Sequence, residues 1–139
     1  MRHAAYQQAA DTPSAWQPWP LTAAGFEQCR HGAAALHEML SGHDVRLSQT
    51  IHSSSLLRAR QTARAVWQHM YPEKHYRLCT TDALAERSVG AAANLPLTEI
   101  EQALRTDPDL DAPPTHWKRN PDYRLPLPGA ESLVQAGER

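Results

Sequence analysis

Four segments of this sequence place charged or nucleophilic side chains next to a turn or at the start of a helix. Arg2-His3 lies at the beginning of the chain, and Arg58 follows a run of three serines. Glu86-Arg87 follows a short β-prone stretch, and Glu131-Ser132 follows a Pro-Gly pair. A histidine is a competent nucleophile toward phosphorus, a carboxyl group can protonate a leaving oxygen, and a guanidinium group binds phosphate or carboxylate. Taken singly, each of these side chains is more often a solvated charge.

The elements that would position these side chains alternate between helices and short strands. Apolar residues three and four apart, an N-cap at Thr22 and a stop at Ser41-Gly42 predict the clearest helix. The apolar residues predicted to lie on its one buried face are Phe26, Cys29, Ala33, Leu36 and Leu40. Such alternation favours an α/β fold with a mostly parallel sheet, in which ligands bind beyond the carboxyl ends of the strands. The four segments could therefore converge there. Further helices are predicted from about Leu57 to Met70, from the capping-box pattern at Thr98 to about Arg105, and after Gly129, and strands over residues 44–47, 50–52 and 76–79.

The composition has no strong electrostatic or membrane signature. The chain has 139 residues, 14 Lys and Arg against 15 Asp and Glu, and a formal net charge of -1. A balance this even gives no footprint for nucleic acid or an anionic membrane, and no apolar run approaches the roughly 18–20 residues of a spanning helix. We therefore predict a cytoplasmic protein with neither nucleic acid nor membrane among its partners. Cys29 and Cys79 form no CxxC pair and are interpreted as buried small hydrophobes.

Five segments, in order, resemble the histidine phosphatase superfamily, the phosphoglycerate mutase-like proteins. The most specific is 54–63, which matches the family's Ser-Asp-Leu-x-Arg-Ala-x-Gln-Thr-Ala at all but the Asp position. Arg2-His3-Ala4 resembles its Arg-His-Gly signature, and 20–28 resembles its Pro-Leu-Thr-x-x-Gly-x-x-Gln helix start. Residues 84–90 resemble its Leu-x-Glu-x-x-x-Gly segment, and 128–132 resemble its Pro-Gly-Gly-Glu-Ser turn. Together these segments extend over nearly the whole chain.

The resemblance implies a three-layer α/β/α fold with a mostly parallel central sheet and a phosphoryl-transfer mechanism. His3 would attack the substrate phosphorus and form a phosphohistidine, while Arg2 and Arg58 would hold the non-bridging oxygens. Glu86 would act first as general acid on the leaving oxygen and then as base on the attacking water. No metal or other cofactor is implied, because guanidinium groups take the place of a cation, and the partner is a small phosphorylated substrate.

A second Arg-His-Gly sequence occurs at 30–32 and spells the signature more literally. It lies in the middle of the first predicted helix, where the family has no catalytic histidine. A histidine inside a helix would face solvent or a neighbouring helix rather than a strand end, so His31 is predicted to be non-catalytic. The remaining histidines show no metal-ligand spacing, and no metal site is predicted.

The sequence departs from the family pattern at two positions near His3 and at both ends. Ala4 stands where the signature has glycine, and Ala9 stands where the family often has a phosphate-binding Asn, for which Gln7 or Gln8 could substitute. The family's hydrophobic first strand and its C-terminal His-Gly segment have no counterpart in the sequence. We therefore expect residues 1–139 to form a single histidine phosphatase-like domain that is incomplete at both ends and belongs to a longer protein.

The leading functional hypothesis is a phosphomonoester phosphatase that acts through His3. Phosphoglycerate mutase, an isomerase, is the alternative in chemistry, and a protein-phosphohistidine phosphatase is a third enzymatic option. The short stretch between Tyr6 and Pro20 favours the smaller phosphatase branch by analogy. Ala4 and the missing second histidine motivate a catalytically inactive phosphate-binding module. Four aromatic side chains could line a substrate pocket or cover the core: Trp16, Trp19, Trp117 and Tyr123.

Overall fold

The computed structural model describes residues 1–12, 16–45 and 47–139, which form two compact units. The first unit comprises Met1–Gln7 and Pro18–Leu84, and the second comprises Gln8–Gln17 and Ala85–Arg139. In chain order the regular elements are α1 (Ala23–Ser41), β1 (Thr50–Ser53), α2 (Leu57–Met70), β2 (Arg77–Thr80), α3 (Leu97–Thr106) and α4 (Leu133–Glu138), with 3₁₀ turns at Asp82–Leu84, Gly90–Ala92 and Trp117–Arg119. None of the described helices is long and apolar enough to cross a membrane.

The first unit contains a parallel pair of strands joined by a helix. Strands β1 and β2 pair in parallel, with Thr50 opposite Arg77 and Ser53 opposite Thr80. The crossover through α2 is the connection that parallel strands require. The strands predicted over 50–52 and 76–79 are confirmed, each with a boundary shift of one residue.

The strand predicted over 44–47 is wrong for the three of its residues that the structure describes, and Arg46 lies outside the described residues. The Val45 amide donates to the His43 carbonyl, 2.9 Å away, so the backbone turns back on itself instead of extending. The Val45 and Leu47 side chains are exposed. Without a buried face, the β-prone residue types have no packing to stabilise a strand.

The first predicted helix is confirmed as α1, with Thr22 as its N-cap and Gly42 at its end. Its buried stripe consists of Gly25, Cys29 and Ala33, spaced four apart, and it packs on Ala65 and Val66 of α2. Burial raises the pKa of the Cys29 thiol. Cys29 is thus a buried small hydrophobe as predicted, whereas Cys79 is only half-buried.

Phe26, which periodicity assigned to the buried face of α1, is wrongly assigned, since its side chain is 44% exposed. The buried stripe runs through Gly25, one position and about 100° away around the helix axis. Small residues along that stripe let α1 approach its neighbours more closely than a phenylalanine would allow.

Gly25 lies where α1 meets the backbone that follows His3, and a methyl group there would overlap the Ala5 carbonyl oxygen. We expect Gly25→Ala to lower the free energy of unfolding by about 2 kcal/mol or more, because rigid backbone must move. Gly32, on the same helix, has open space around its Cα. Gly32→Ala should raise stability by about 0.8 kcal/mol through helix propensity. Urea denaturation of both variants measures the difference, and equal effects would contradict this packing.

The second unit is built around α3 and the irregular chain that follows it. Ile100 and Leu104, four residues apart on α3, are fully buried against Trp117 and Leu125. Tyr123 packs against the same cluster, so Trp117 and Tyr123 cover the core of this unit. Trp16 and Trp19 are instead 42% and 46% exposed.

The helix predicted near Thr98 is confirmed as α3, but its N-terminus differs from the prediction. It begins at Leu97 after Pro96, and no side chain caps it, so the capping box at Thr98 is wrong. The Leu97 amide donates to the Asp11 carbonyl, 3.0 Å away. A residue distant in sequence therefore satisfies an amide that a local cap would otherwise satisfy.

The predicted helix after Gly129 is confirmed as α4. Its N-cap is Ser132, whose hydroxyl accepts from the Gln135 amide at 3.1 Å. The Gln135 side chain accepts in turn from the Ser132 amide at 2.9 Å, which completes a capping box. The cap fixes where the Pro-Gly-Ala-Glu-Ser turn ends and the helix begins.

Candidate active site

His3 lies half-buried in the first unit, and both its Nδ1 atom and its ring have defined contacts. Its Nδ1 is 2.9 Å from the Ala4 carbonyl oxygen, and its ring meets Tyr6 edge-on, with centroids 5.2 Å apart. A hydrogen bond to a carbonyl places the ring proton on Nδ1, and this assignment leaves the Nε2 lone pair available for attack on an electrophile. The geometry is suited to a nucleophilic histidine.

Side chains of helices α1 and α2 hold the segment that carries His3. The Ala4 amide donates to Thr62 Oγ1 at 3.0 Å, and the Ala5 amide donates to Gln28 Oε1 at 2.8 Å. Leu21 forms an antiparallel bridge with Tyr6, and the Leu21 amide donates to Gln61 Oε1 at 2.8 Å. Thr62 and Gln28 thus hold the backbone that follows His3, and Gln61 holds Leu21, the bridge partner of Tyr6.

Ala4 fits the position at which the family signature has glycine. Among the described residues, positive φ at a non-glycine occurs only at Asp11, Asn94 and His116. Ala4 therefore has an ordinary backbone conformation, in which a methyl group carries no strain. The Ala4 side chain packs against the cluster that contains Cys29 and Ala33.

Arg58 is the second residue of α2 and is only 1% exposed. Its guanidinium carbon lies 4.6 Å from the centroid of the Tyr6 ring, a cation–π contact. The same ring contacts His3, so Tyr6 brings the predicted nucleophile and the predicted phosphate ligand together. A buried cation in the first turn of a helix, where the helix dipole is also positive, favours an anionic ligand.

The turn before Arg58 consists of the three serines at the carboxyl end of β1. Ser53 and Ser54 are buried, and the Ser53 hydroxyl donates to the Ser54 carbonyl at 2.9 Å. The Ser55 hydroxyl donates to the Asp82 carboxylate, which follows the carboxyl end of β2. These contacts place Arg58 beyond the carboxyl end of a parallel strand, the usual location of ligand sites in such sheets.

Thr62 connects the His3 segment to the Arg58 backbone. Its hydroxyl accepts from the Ala4 amide at 3.0 Å and donates to the Arg58 carbonyl at 2.8 Å. The side chain is 5% exposed. Because one hydroxyl serves both segments, the spacing between the backbones of residues 4 and 58 is set by a single buried group.

Glu86 lies in the second unit, exposed, at the edge of a cavity of about 440 Å³. Arg87 and Lys118 line the same cavity. Burial lowers the pKa of the Arg87 guanidinium, which also lies over the Trp117 ring. Burial, followed by the charge of Arg87, lowers the pKa of the Lys118 ammonium. With two cationic side chains against the one carboxylate of Glu86, the lining of this cavity is basic, which suits an anionic molecule.

Glu131 and Arg139 form a two-point ion pair in the second unit. Arg139 Nε donates to Glu131 Oε1 at 2.8 Å, and one terminal nitrogen donates to Oε2 at 3.0 Å. The Ser88 amide donates to Oε2 at 2.9 Å. The Arg139 guanidinium and then the Ser88 amide hold the pKa of the Glu131 carboxyl below its usual value, against a rise from partial burial.

Arg2 is exposed at the start of the first unit. Gln8, in the second unit, is exposed, and its Nε2 donates to the Thr12 carbonyl at 2.8 Å. His31 lies exposed on α1, with its Nε2 3.4 Å from Glu27 Oε1. The Arg30 guanidinium pairs with the same carboxylate oxygen at 2.6 Å. The literal Arg-His-Gly sequence is thus a surface feature of a helix.

A sequence model of the histidine phosphatase superfamily (branch 1) matches residues 1–139. This chain belongs to that superfamily. The resemblance inferred from the five motif segments is thereby confirmed. A comparison with curated protein sequences found no significant match.

Solved structures with the same fold include phosphatases and a mutase. A mycobacterial glucosyl-3-phosphoglycerate phosphatase matches with TM-score 0.68 and 21% identity, over 97% of this chain and 55% of that one. The α-ribazole phosphatase from Shigella flexneri gives TM-score 0.61 and 21% identity, over 96% and 58%. The phosphoglycerate mutase from Bacillus anthracis gives 0.60 and 21%, over 87% and 50%. These matches confirm the α/β fold class, and the chain spans between 50% and 58% of the length of these structures.

For this histidine phosphatase superfamily chain, sequence reasoning missed three residues that organise the site. Thr62 had a usable signal, because it lies one helical turn after Arg58 on the same face of α2. Tyr6 and Arg139 had none, since their contacts join residues with no common period. The roles of His3, Arg2, Arg58, Glu86 and Gln8 remain predictions.

Proposed function

We propose that this protein is a phosphomonoester phosphatase in which His3 forms a phosphohistidine. The observation that carries the proposal is the contact of His3 and Arg58 with one Tyr6 ring. The ring is flanked by a histidine whose Nε2 is available and by a buried guanidinium, the pair that phosphoryl transfer to nitrogen requires. Membership of the superfamily supports the same chemistry.

In the proposed first step, His3 Nε2 attacks the substrate phosphorus and a P–N bond forms. The P–O bond to the alcohol breaks, its electron pair stays on the oxygen, and that oxygen takes a proton from the Glu86 carboxyl. Arg2, Arg58 and Gln8 bind the non-bridging oxygens, whose charge is stabilised most in the transition state. Two guanidinium groups supply positive charge that a metal ion supplies in other phosphoryl-transfer enzymes.

In the second step, water attacks the phosphohistidine and gives up a proton to the Glu86 carboxylate. The P–N bond breaks, and its electron pair returns to His3 Nε2. The sum of the two steps consumes one water and releases the alcohol and phosphate. Because Glu86 ends protonated, as it began, the cycle closes without a further reactant.

The proposed substrate is a small phosphorylated compound. The basic cavity beside Glu86, with Arg87 and Lys118, favours an anionic molecule. The similar structures, two phosphatases and one mutase, support phosphatase activity first and mutase activity second.

We expect the full-length protein to hydrolyse p-nitrophenyl phosphate, with a rate unchanged by a chelator, because arginines take the place of a cation. Release of p-nitrophenol and phosphate in the presence and absence of EDTA measures this. Conversion of 3-phosphoglycerate that depends on priming by 2,3-bisphosphoglycerate would indicate a mutase instead. Phosphate binding without turnover of either substrate would overturn the proposal in favour of a binding module.

A further inference from the structure

The backbone around Glu86 is held by an ion pair to which the proposed chemistry assigns no role. One terminal nitrogen of Arg139 donates to the Ala85 carbonyl at 2.9 Å and to the Glu86 carbonyl at 3.2 Å. The same guanidinium binds both oxygens of Glu131. Arg139 therefore connects the peptide units on either side of the Glu86 α-carbon to a fixed anion.

Glu131 completes this arrangement from the other side of the loop. Its Oε2 accepts the Ser88 amide at 2.9 Å, and its own amide donates to the Ser88 carbonyl at 3.0 Å. Val89 and Ala130 form an antiparallel bridge next to these bonds. We call residues 85–88 the acid loop, and Glu131 with Arg139 the clamp. The clamp touches the acid loop at Ala85, Glu86 and Ser88, which include both of its ends.

The clamp is built to be rigid. The Glu131 and Arg139 side chains are each 25% exposed, so three-quarters of each is shielded from water. A guanidinium that binds two carboxylate oxygens has a fixed plane as well as a fixed distance. Gly90, just after the acid loop, has φ +63° and packs on the 128–130 backbone so closely that a methyl group would overlap it. The acid loop therefore has little freedom to shift along the turn.

A general acid depends on position more than most catalytic groups. Its proton must lie within hydrogen-bond reach of the leaving oxygen as the P–O bond breaks. A displacement of about 1 Å by a change away from the chemistry can cost on the order of 10²-fold in rate. The Glu86 side chain is exposed, and the clamp holds the backbone that carries it.

We propose that Glu131 and Arg139 are positioning residues that hold Glu86 where it can protonate the leaving oxygen. This inference rests on the proposed function, because it assigns the clamp to the acid step of that reaction. It predicts that loss of the clamp lowers kcat/KM strongly for substrates whose leaving oxygen must be protonated, and little for substrates whose leaving group departs without a proton. A clamp that merely stabilises the fold would impair all substrates alike.

The test compares two phosphomonoesters in the full-length protein. Phenyl phosphate has a poor leaving group that needs protonation, whereas 2,4-dinitrophenyl phosphate has a good one that does not. We expect Glu131→Gln to lower kcat/KM for phenyl phosphate roughly tenfold or more, a part of the 10²–10⁴-fold that general acids contribute, and to leave dinitrophenyl phosphate within about twofold. Arg139→Lys, which keeps the charge but loses the fork, should show the same pattern more weakly.

Two further variants make the result decisive. Glu86→Gln should give the largest selectivity, and adding Glu131→Gln to it should change the ratio of the two rates by less than about twofold, because the two residues act on one step. Glu138→Gln, which changes an exposed carboxylate of α4 next to Arg139 to a carboxamide, should leave both rates unchanged. Equal losses on both substrates in Glu131→Gln and Arg139→Lys would overturn the inference. Absence of turnover in the unsubstituted protein would instead overturn the proposed function.

Discussion

The His3→Ala variant of the full-length protein is expected to lose all measurable turnover of p-nitrophenyl phosphate and to form no phosphoenzyme. The nucleophile provides the covalent path itself, so no neighbouring group restores it. The structure gives His3 the attributes that this role needs: an Nδ1 held by the Ala4 carbonyl and a ring packed on Tyr6. Quenching the reaction in alkali and measuring labelled phosphate on the protein reports the intermediate directly, because a phosphohistidine is stable to alkali and labile to acid.

The matched control is His31→Ala. His31 also follows an arginine and precedes a glycine, yet it lies exposed on α1 beside Glu27. We expect its removal to leave turnover and labelling unchanged. A His3→Ala protein that retains activity, or a His31→Ala protein that loses it, would refute the assignment of the nucleophile. Thermal unfolding of both variants shows whether the loss of the ring contact with Tyr6 has disturbed the fold.

The helices were the most predictable part of the structure. Helix α2 has the predicted bounds, Leu57–Met70, because apolar periodicity and Pro72 both act locally. Two of the wrong predictions, the capping box at Thr98 and the strand over 44–47, have a common origin. The N-terminus of α3 is satisfied by Asp11, and the chain at Val45 turns back on His43, so the deciding contacts were not visible as a local pattern. Sequence patterns of caps and periods detect only what neighbouring residues determine.

The candidate site likewise contains residues that the sequence predicted and residues that only the structure revealed. The motif segments located His3, Arg58 and Glu86, whose residue types suit the proposed chemistry. The structure adds the groups that place them: Tyr6 between His3 and Arg58, and Arg139 on the acid loop. Arg139 and Ala85 are more than fifty positions apart in sequence. Contacts of this kind arise from the tertiary fold, and the spacing of residues in the sequence does not predict them.

Arg58→Ala is expected to lower kcat/KM on the order of 10²-fold or more, the usual cost of removing one donor to a developing negative charge. Arg58 is 1% exposed, is the second residue of α2 and lies over the Tyr6 ring, so its guanidinium has one defined position. Arg58→Lys should recover only part of the loss, because an ammonium lacks the planar fork. Inhibition by inorganic phosphate should weaken in parallel, since the same guanidinium would hold the product.

Arg64→Ala is the matched control, since Arg64 lies on the same helix but is exposed. Its kcat/KM and its inhibition by phosphate should stay at the values of the unsubstituted protein. Arg58→Ala also leaves space beside Tyr6, so its kinetics must be measured well below its own Tm to separate catalysis from unfolding. If Arg58→Ala is folded and its kcat/KM stays within about threefold of the unsubstituted protein, then Arg58 packs against Tyr6 without binding phosphate. A parallel loss of turnover and of phosphate inhibition would instead mean that the buried guanidinium binds the transferred group.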